Sequence, residues 1–292
     1  MELIQLAEHG AWTWFHNPRA IYHRGARSKT YFTWSWKGIW IGSFDHDTGD
    51  IERQRLLATP QNDHNVAALG IRPDGRLLVC YSPHNGTMRS VVAERTEDVT
   101  AWREPTTIRA ERATYPNLFH LASESRWVLV YRGGPTGAWP LWFRSSDDDG
   151  ATWSEETLLF RNGTHRPYPQ VVSDGSDQLH FSLTDGHPNA VPHNSIYHLH
   201  YDAGTWRDSA GSPLSRGATI RAGAAHPRLR WLRGRSCLVL GHRARYGWHA
   251  RDGIHRHPVG DRSSLHVCDT AQPAVDRQRG DACRPEHLRG TW

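Results

Sequence analysis

The sequence has little cysteine, and what it has is unevenly placed. Four cysteines occur in 292 residues, none in a CxxC pair. Cys237, Cys268 and Cys283 lie towards the C-terminus with spacing that fits no zinc pattern. Cys80 sits in an apolar strand-like run and reads as a buried structural thiol. A disulfide-stapled fold is therefore not expected. No apolar run reaches the roughly 18 residues that a membrane-spanning helix needs. Residues 1–10 lack a basic region followed by an apolar stretch, so no secretory leader is read there. A cytoplasmic location, or a missing leader, is the expectation. Helical periodicity is nearly absent, which argues against α/β architectures. The polar clusters described below also lack a convincing pair of carboxylates, which most glycoside hydrolysis requires.

Net charge is small in the body as well. The net charge is +5, but residues 211–292 hold 15 Arg, no Lys and 6 acidic residues. The first 210 residues then carry 20 basic and 24 acidic groups. The basic character belongs to the tail and gives no reason to assign a nucleic-acid or membrane partner to the body.

What is abundant is tryptophan, 14 residues, and repetition. Four runs share a layout of a turn followed by an aromatic or β-branched strand: Lys29–Trp36, Arg76–Ser82, Arg126–Arg132 and Gln178–Thr184. Tyr31, Tyr81, Tyr131 and Phe181 are spaced 50 residues apart. A second strand is expected after each, at Ile39–Phe44, Met88–Glu94, Leu141–Ser145 and Ser195–Tyr201. Three of the turns that follow end on Trp102, Trp153 and Trp206. A period of roughly 50 residues with several short strands per unit is the pattern of β-propeller blades. One four-stranded sheet cannot bury both faces alone, so blades stack. The fold class expected is all-β, a propeller of four-stranded blades, with about four to five blades recognisable.

Ser146, Asp148, Gly150, Thr152 and Trp153 match the Asp-box pattern S-x-D-x-G-x-T-W. The pattern closes a hairpin, and its role is structural. The repeats fade after Pro213. Residues 1–213 are read as propeller blades carrying the candidate site. Residues 214–292 are read as an Arg/His-rich tail, either a degenerate further blade or an aberrant segment.

Polar clusters recur at strand ends: Asn62-Asp63-His64-Asn65, Ser82-Pro83-His84-Asn85, Thr114-Tyr115-Pro116-Asn117, Tyr131-Arg132-Gly133-Gly134, His165-Arg166-Pro167-Tyr168 and Thr184-Asp185-Gly186-His187-Pro188. Each alone has an ordinary reading as a hydrogen-bonded loop. The set combines His, Tyr and Arg, which suits β-elimination from a uronic acid. Arg neutralises the carboxylate so that the α-proton becomes acidic, His takes that proton, and Tyr protonates the leaving oxygen.

At these residues, and at Trp14-Phe15-His16-Asn17-Pro18-Arg19, the chain resembles the seven-bladed BNR-repeat polysaccharide lyases, the ulvan lyases among them. The resemblance spans about Trp12 to Pro213. It implies His64 and Tyr115 as the acid–base pair, Arg132 as carboxylate neutraliser and His84 as its helper. It also implies substrate binding at Asn65, Asn85, Arg166 and Tyr168. Which of His64 and Tyr115 gives the proton stays open. The implied substrate is an acidic, sulfated, uronate-containing polysaccharide or oligosaccharide, cleaved by a monomer. No cofactor is required for the chemistry. The family leaves room for structural zinc or calcium, with His187, His198 and His200 as candidate ligands, and the metal is left unknown. A sialidase-like glycoside hydrolase and a non-catalytic glycan-binding propeller are the alternatives.

Overall fold

The computed structural model describes residues 3–134, 139–161, 165–187, 189–191 and 194–214. The tail expected over 214–292, with its three cysteines and the possible fifth strand at Cys237–His242, lies outside the described residues except for Leu214. The described residues are all-β, with one short 3-10 turn at Ala122–Glu124. Among them no helix is long and apolar enough to cross a membrane.

Among the described residues fifteen strands form three antiparallel sheets. The first holds β1 (Ala20–Arg24), β2 (Ser28–Ser35), β3 (Gly38–Asp45) and β4 (Ile51–Ala58) in sequence order. The last holds β12 (Pro169–Ser173), β13 (Gln178–Thr184), β14 (Ile196–Asp202) and β15 (Thr205–Asp208). The middle sheet runs from β5 (Val66–Ile71) through β6 (Leu77–Ser82), β7 (Gly86–Val92), β8 (Thr106–Leu121), β9 (Arg126–Gly133) and β10 (Leu141–Ser146) to β11 (Thr157–Phe160). The eight strands expected from the repeat all form, with ends within about two residues of those expected.

The seven-stranded sheet is two blades joined by one long strand. The first half of β8 pairs with β7, and its second half pairs with β9. Ala113 faces both Gly86 of β7 and Gly133 of β9, so it marks the crossing. The pairing then slips between Thr114↔Arg132 and Asn117↔Val130. One extra residue on β8 makes a bulge there, which bends the strand into the next blade. Pro116 lies in the bulge, where its missing N–H costs no ladder bond.

Burial explains why the strands read as they do. All six residues of β6, LLVCYS, are buried. Leu77, Val79 and Tyr81 face the first blade, while Leu78 and Cys80 face the third. Strand β9 is divided the same way, with Trp127, Leu129 and Tyr131 on one face and Val128 and Val130 on the other. In β13 only Leu179, Phe181 and Leu183 are buried, so the strand alternates. The repeated ring positions Tyr31, Tyr81, Tyr131 and Phe181 are all buried in these inter-blade cores, each worth about 1.5–3 kcal/mol of apolar burial. Trp102, Trp153 and Trp206 pack on the same three cores. Cys80 is a free, fully buried thiol.

The turn after β10 is held by its own side chains. Ser146 Oγ accepts the Gly150 N–H at 2.8 Å, and Asp148 accepts the Thr152 N–H at 2.8 Å and the Thr152 hydroxyl at 2.6 Å. Gly150 takes φ +81°, where a side chain would be strained and would also strike Leu78. Trp153 Nε1–H reaches Ser90 Oγ in the preceding blade at 3.2 Å.

Residues 11–19 precede the first strand and tie the blades together. Ala11 bridges Ser35, and the Pro18 carbonyl accepts from Leu69 N–H at 3.1 Å. The Asn17 carbonyl accepts from Leu118 N–H at 2.8 Å. The Gln170 side chain donates to the Trp14 carbonyl. The arm therefore touches all four blades, bonding an edge residue of blades two and three through its backbone.

Candidate active site

The strand ends and the arm bring one set of polar side chains together. Tyr115 sits in the β8 bulge with φ +57°, a left-handed conformation that costs a non-glycine residue energy and clusters at functional sites. Its ring is fully buried. The His64 ring centroid lies 5.8 Å from it, and His84 lies 4.5 Å from His64. Tyr168 is 6.0 Å from Tyr115. Arg132, at the end of β9, places its guanidinium carbon 4.5 Å from the Tyr115 ring centre and 4.6 Å from that of Tyr168.

Two of these groups are buried without geometric hydrogen bonds. The Tyr115 hydroxyl, and Nε and Nη1 of Arg132, have no such partner among the described residues. Orphaned buried donors are costly, about 1–3 kcal/mol each, and in a native protein they call for an explanation. Burial pushes the Tyr115 phenol above the usual tyrosine range, against the pull of the neighbouring Arg132 charge.

The two histidines are held in different tautomers. Asp63 Oδ1 lies 2.6 Å from His64 Nδ1. A carboxylate accepts only, so Nδ1 carries the proton and a neutral His64 presents an Nε2 lone pair. Asn62 Oδ1 accepts the His64 backbone N–H at 2.9 Å, which turns the Asn62 amide nitrogen towards His84 Nδ1 at 3.3 Å. His84 Nδ1 is thus an acceptor, and its Nε2 carries the hydrogen. Burial first, then electrostatic coupling to His64 and the Arg132 charge, lowers the His84 pKa to about 4, so it is neutral at physiological pH.

Not every expected residue points into this set. Asn65 is buried, and both ends of its amide serve backbone groups. It donates to the Pro60 carbonyl at 2.9 Å and accepts the His84 N–H at 3.0 Å. It ties the two histidine loops together. Asn85 is exposed in a left-handed turn with φ +56° and has no side-chain hydrogen bond among the described residues. Arg166 is exposed but borders the set: it lies 5.6 Å from the Trp139 ring, over which Arg132 and Arg112 also stand at 5.9 and 5.7 Å, and its charge helps to lower the His84 pKa. His187 is exposed beside Tyr168, ring centres 5.8 Å apart. His198 and His200 instead stack with His180 on the last sheet. Among the described residues no group of three or more His, Cys, Asp or Glu could hold a metal ion.

Phe15, Asn62, Asp63 and Trp139 also shape the site. Phe15 packs on Tyr168 at 4.5 Å and on Tyr115 at 5.5 Å. The arm precedes the first repeat, so the 50-residue period could not flag Phe15. The cluster as a whole has a cation between aromatic faces, an imidazole lone pair, an imidazole N–H and a buried phenol. It can bind a carboxylate, remove a proton and supply one.

A family model described as "BNR repeat-containing family member" matches residues 29–230. No curated protein matches the sequence. Among solved structures, an ulvan lyase described as a new family of polysaccharide lyase matches with a TM-score of 0.63 at 16% identity, covering 78% of this chain and 61% of that one. The chain therefore spans less than two thirds of that protein, and the likeness is one of fold. The catalytic domain of an α-L-arabinofuranosidase from Coprinopsis cinerea matches with a TM-score of 0.44 at 14% identity, over 72% of this chain and 73% of that one. A fructofuranosidase from Schwanniomyces occidentalis matches with a TM-score of 0.39 at 15% identity, over 74% and 48%.

Proposed function

The chain belongs to the BNR repeat-containing family, and from that premise we propose that it is a polysaccharide lyase, cleaving an acidic, ulvan-like polysaccharide by β-elimination. The observation that carries the reading is the buried pair of Arg132 and Tyr115, which interact with each other while the phenol hydroxyl and Nε and Nη1 of Arg132 reach no well-formed hydrogen bond among the described residues. An enzyme that binds a uronate carboxylate needs such unused donors. Arg132 meets the carboxylate with its planar fork. The neutral His84, with hydrogen on Nε2, adds a second donor but no charge. Together they stabilise the negative charge that develops when the α-proton leaves.

The tautomers support one order of proton transfers. His64 Nε2 has the lone pair, so it takes the C5 proton. The electron pair of the C5–H bond forms the C4=C5 double bond, and the C4–O4 bond breaks. Tyr115, kept protonated by burial, gives its proton to the departing O4. Asp63 holds the proton on His64 Nδ1 and stabilises the imidazolium. Among the described residues, Asp63 is the one carboxylate hydrogen-bonded to this set, which gives no support to a two-carboxylate hydrolysis.

Incubation with ulvan and with other uronate polymers should raise the ultraviolet absorbance of an unsaturated uronyl product. His64→Ala should lower that rate by at least about a hundredfold while leaving the fold intact by circular dichroism. Reducing sugar without absorbance would identify a hydrolase, and binding without turnover a non-catalytic propeller. Either outcome refutes the lyase reading.

A further inference from the structure

The arm presents two tryptophans that neither the fold nor the proposed chemistry uses. Trp12 is 53% and Trp14 45% exposed. Their backbone is held firmly, by the Ala11–Ser35 bridge on one side and by the Trp14 carbonyl's bond to Gln170 on the other. Arg19 reaches back to the same place, with its guanidinium carbon 6.0 Å from the Trp12 ring and 5.9 Å from the Trp14 ring. Its Nη1 donates to the Thr13 carbonyl at 2.9 Å. No carboxylate pairs with Arg19 among the described residues, although the cation is half-buried. Nearby His16 is buried and supplies no charge, since burial and Arg19 lower its pKa to about 3.

Two half-exposed indoles on a fixed backbone, beside a cation with no counter-ion, make a platform for an anionic sugar. The flat apolar face of a pyranose stacks on indole, and Arg19 meets its acidic substituent. Holding the rings in place beforehand removes the ordering cost that would otherwise weaken binding. The platform adjoins the site along the chain, because Phe15, the residue after Trp14, packs on both Tyr115 and Tyr168.

We propose that Trp12, Trp14 and Arg19 form a distal subsite that holds a sugar of the acidic glycan outside the pair of residues being cleaved. The acidic nature of that glycan rests on the function proposed above. The subsite lengthens the glycan segment that the protein grips and favours polymer over short fragments.

The test uses the full chain carrying His64→Ala, so that the polymer survives. Affinity electrophoresis in gels loaded with ulvan or with a neutral polysaccharide is compared with binding of an ulvan disaccharide. Trp12→Ala/Trp14→Ala should weaken polymer binding by about tenfold and leave disaccharide binding unchanged. Trp12→Phe/Trp14→Phe keeps a smaller aromatic face and should recover part of the loss. Polymer binding that is unchanged in every gel overturns the proposal. So does a fall in melting temperature with affinity unchanged, which would make the indoles packing groups. Should the His64-intact chain give no ultraviolet product while retardation still depends on the two tryptophans, the lyase reading fails and the glycan subsite stands.

Discussion

Replacing Arg132 by methionine should separate activity from stability. In the free protein the guanidinium is 2% exposed and leaves Nε and Nη1 without partners. Two orphaned donors cost about 2–6 kcal/mol together. The two tyrosine faces at 4.5 and 4.6 Å return about 1–4 kcal/mol. An apolar side chain of similar length forgoes both, so Arg132→Met should leave the fold equally stable or more stable by about 1 kcal/mol. Buried ionic groups replaced by apolar ones often behave this way. For a domain of this size that is a rise of about 2–4 °C in melting temperature. Activity moves the other way. A carboxylate held by two charge-assisted bonds at about 1.5–3 kcal/mol each loses about 3–6 kcal/mol, so kcat/KM should fall about 10²- to 10⁴-fold. Arg132→Lys keeps the charge but loses the fork and should fall between. Thermal melts and the ultraviolet assay read the two effects on the same preparations. A melting temperature lowered by more than about 4 °C, or more than a tenth of the activity retained, would refute the reasoning, because the guanidinium would then be a structural group.

Three further outcomes can be checked directly. His84 and His16 have folded pKa values of about 4 and about 3, below the ordinary 6.5. The unfolded chain therefore binds more protons below pH 6.5, and stability should fall as pH drops from about 6.5 towards 4; denaturant titrations of His16→Gln and His84→Gln should show a flatter slope. Gly70→Ala puts a methyl 2.4 Å from the buried Trp127 ring, and urea unfolding should show a loss of about 1–3 kcal/mol. Asp148→Ala removes two bonds to Thr152 and should cost about 1–2 kcal/mol with lyase activity unchanged, because the turn lies in the hairpin and not in the cluster.

The candidate site is partly legible in the order of residues alone. His64, His84, Tyr115, Arg132 and Tyr168 stand at repeated strand ends, and they do converge. Asn65 is legible as a member of that loop but not in its role, because a sequence cannot show that both ends of its amide are taken by Pro60 and His84. The histidine tautomers depend on Asp63 and on the turn of one Asn62 amide, which are matters of atomic contact. Trp139 carries no positional signal, and Phe15 is marked only by the arm motif that resembles the lyases, not by the 50-residue period.

The blades themselves follow from the sequence alone. A 50-residue spacing of buried rings, alternating strands and side-chain-closed turns are local patterns, and local patterns are written in neighbouring residues. Tertiary structure decided the rest. It made β8 serve two blades, with Tyr115 at the bend, and it laid the arm across all four blades. It also left Arg132 buried between two tyrosines. These features arise from contacts between residues tens to more than a hundred positions apart, such as Asn117 with Phe15 or Gln170 with Trp14. Such contacts depend on which chain ends the stacked sheets bring together.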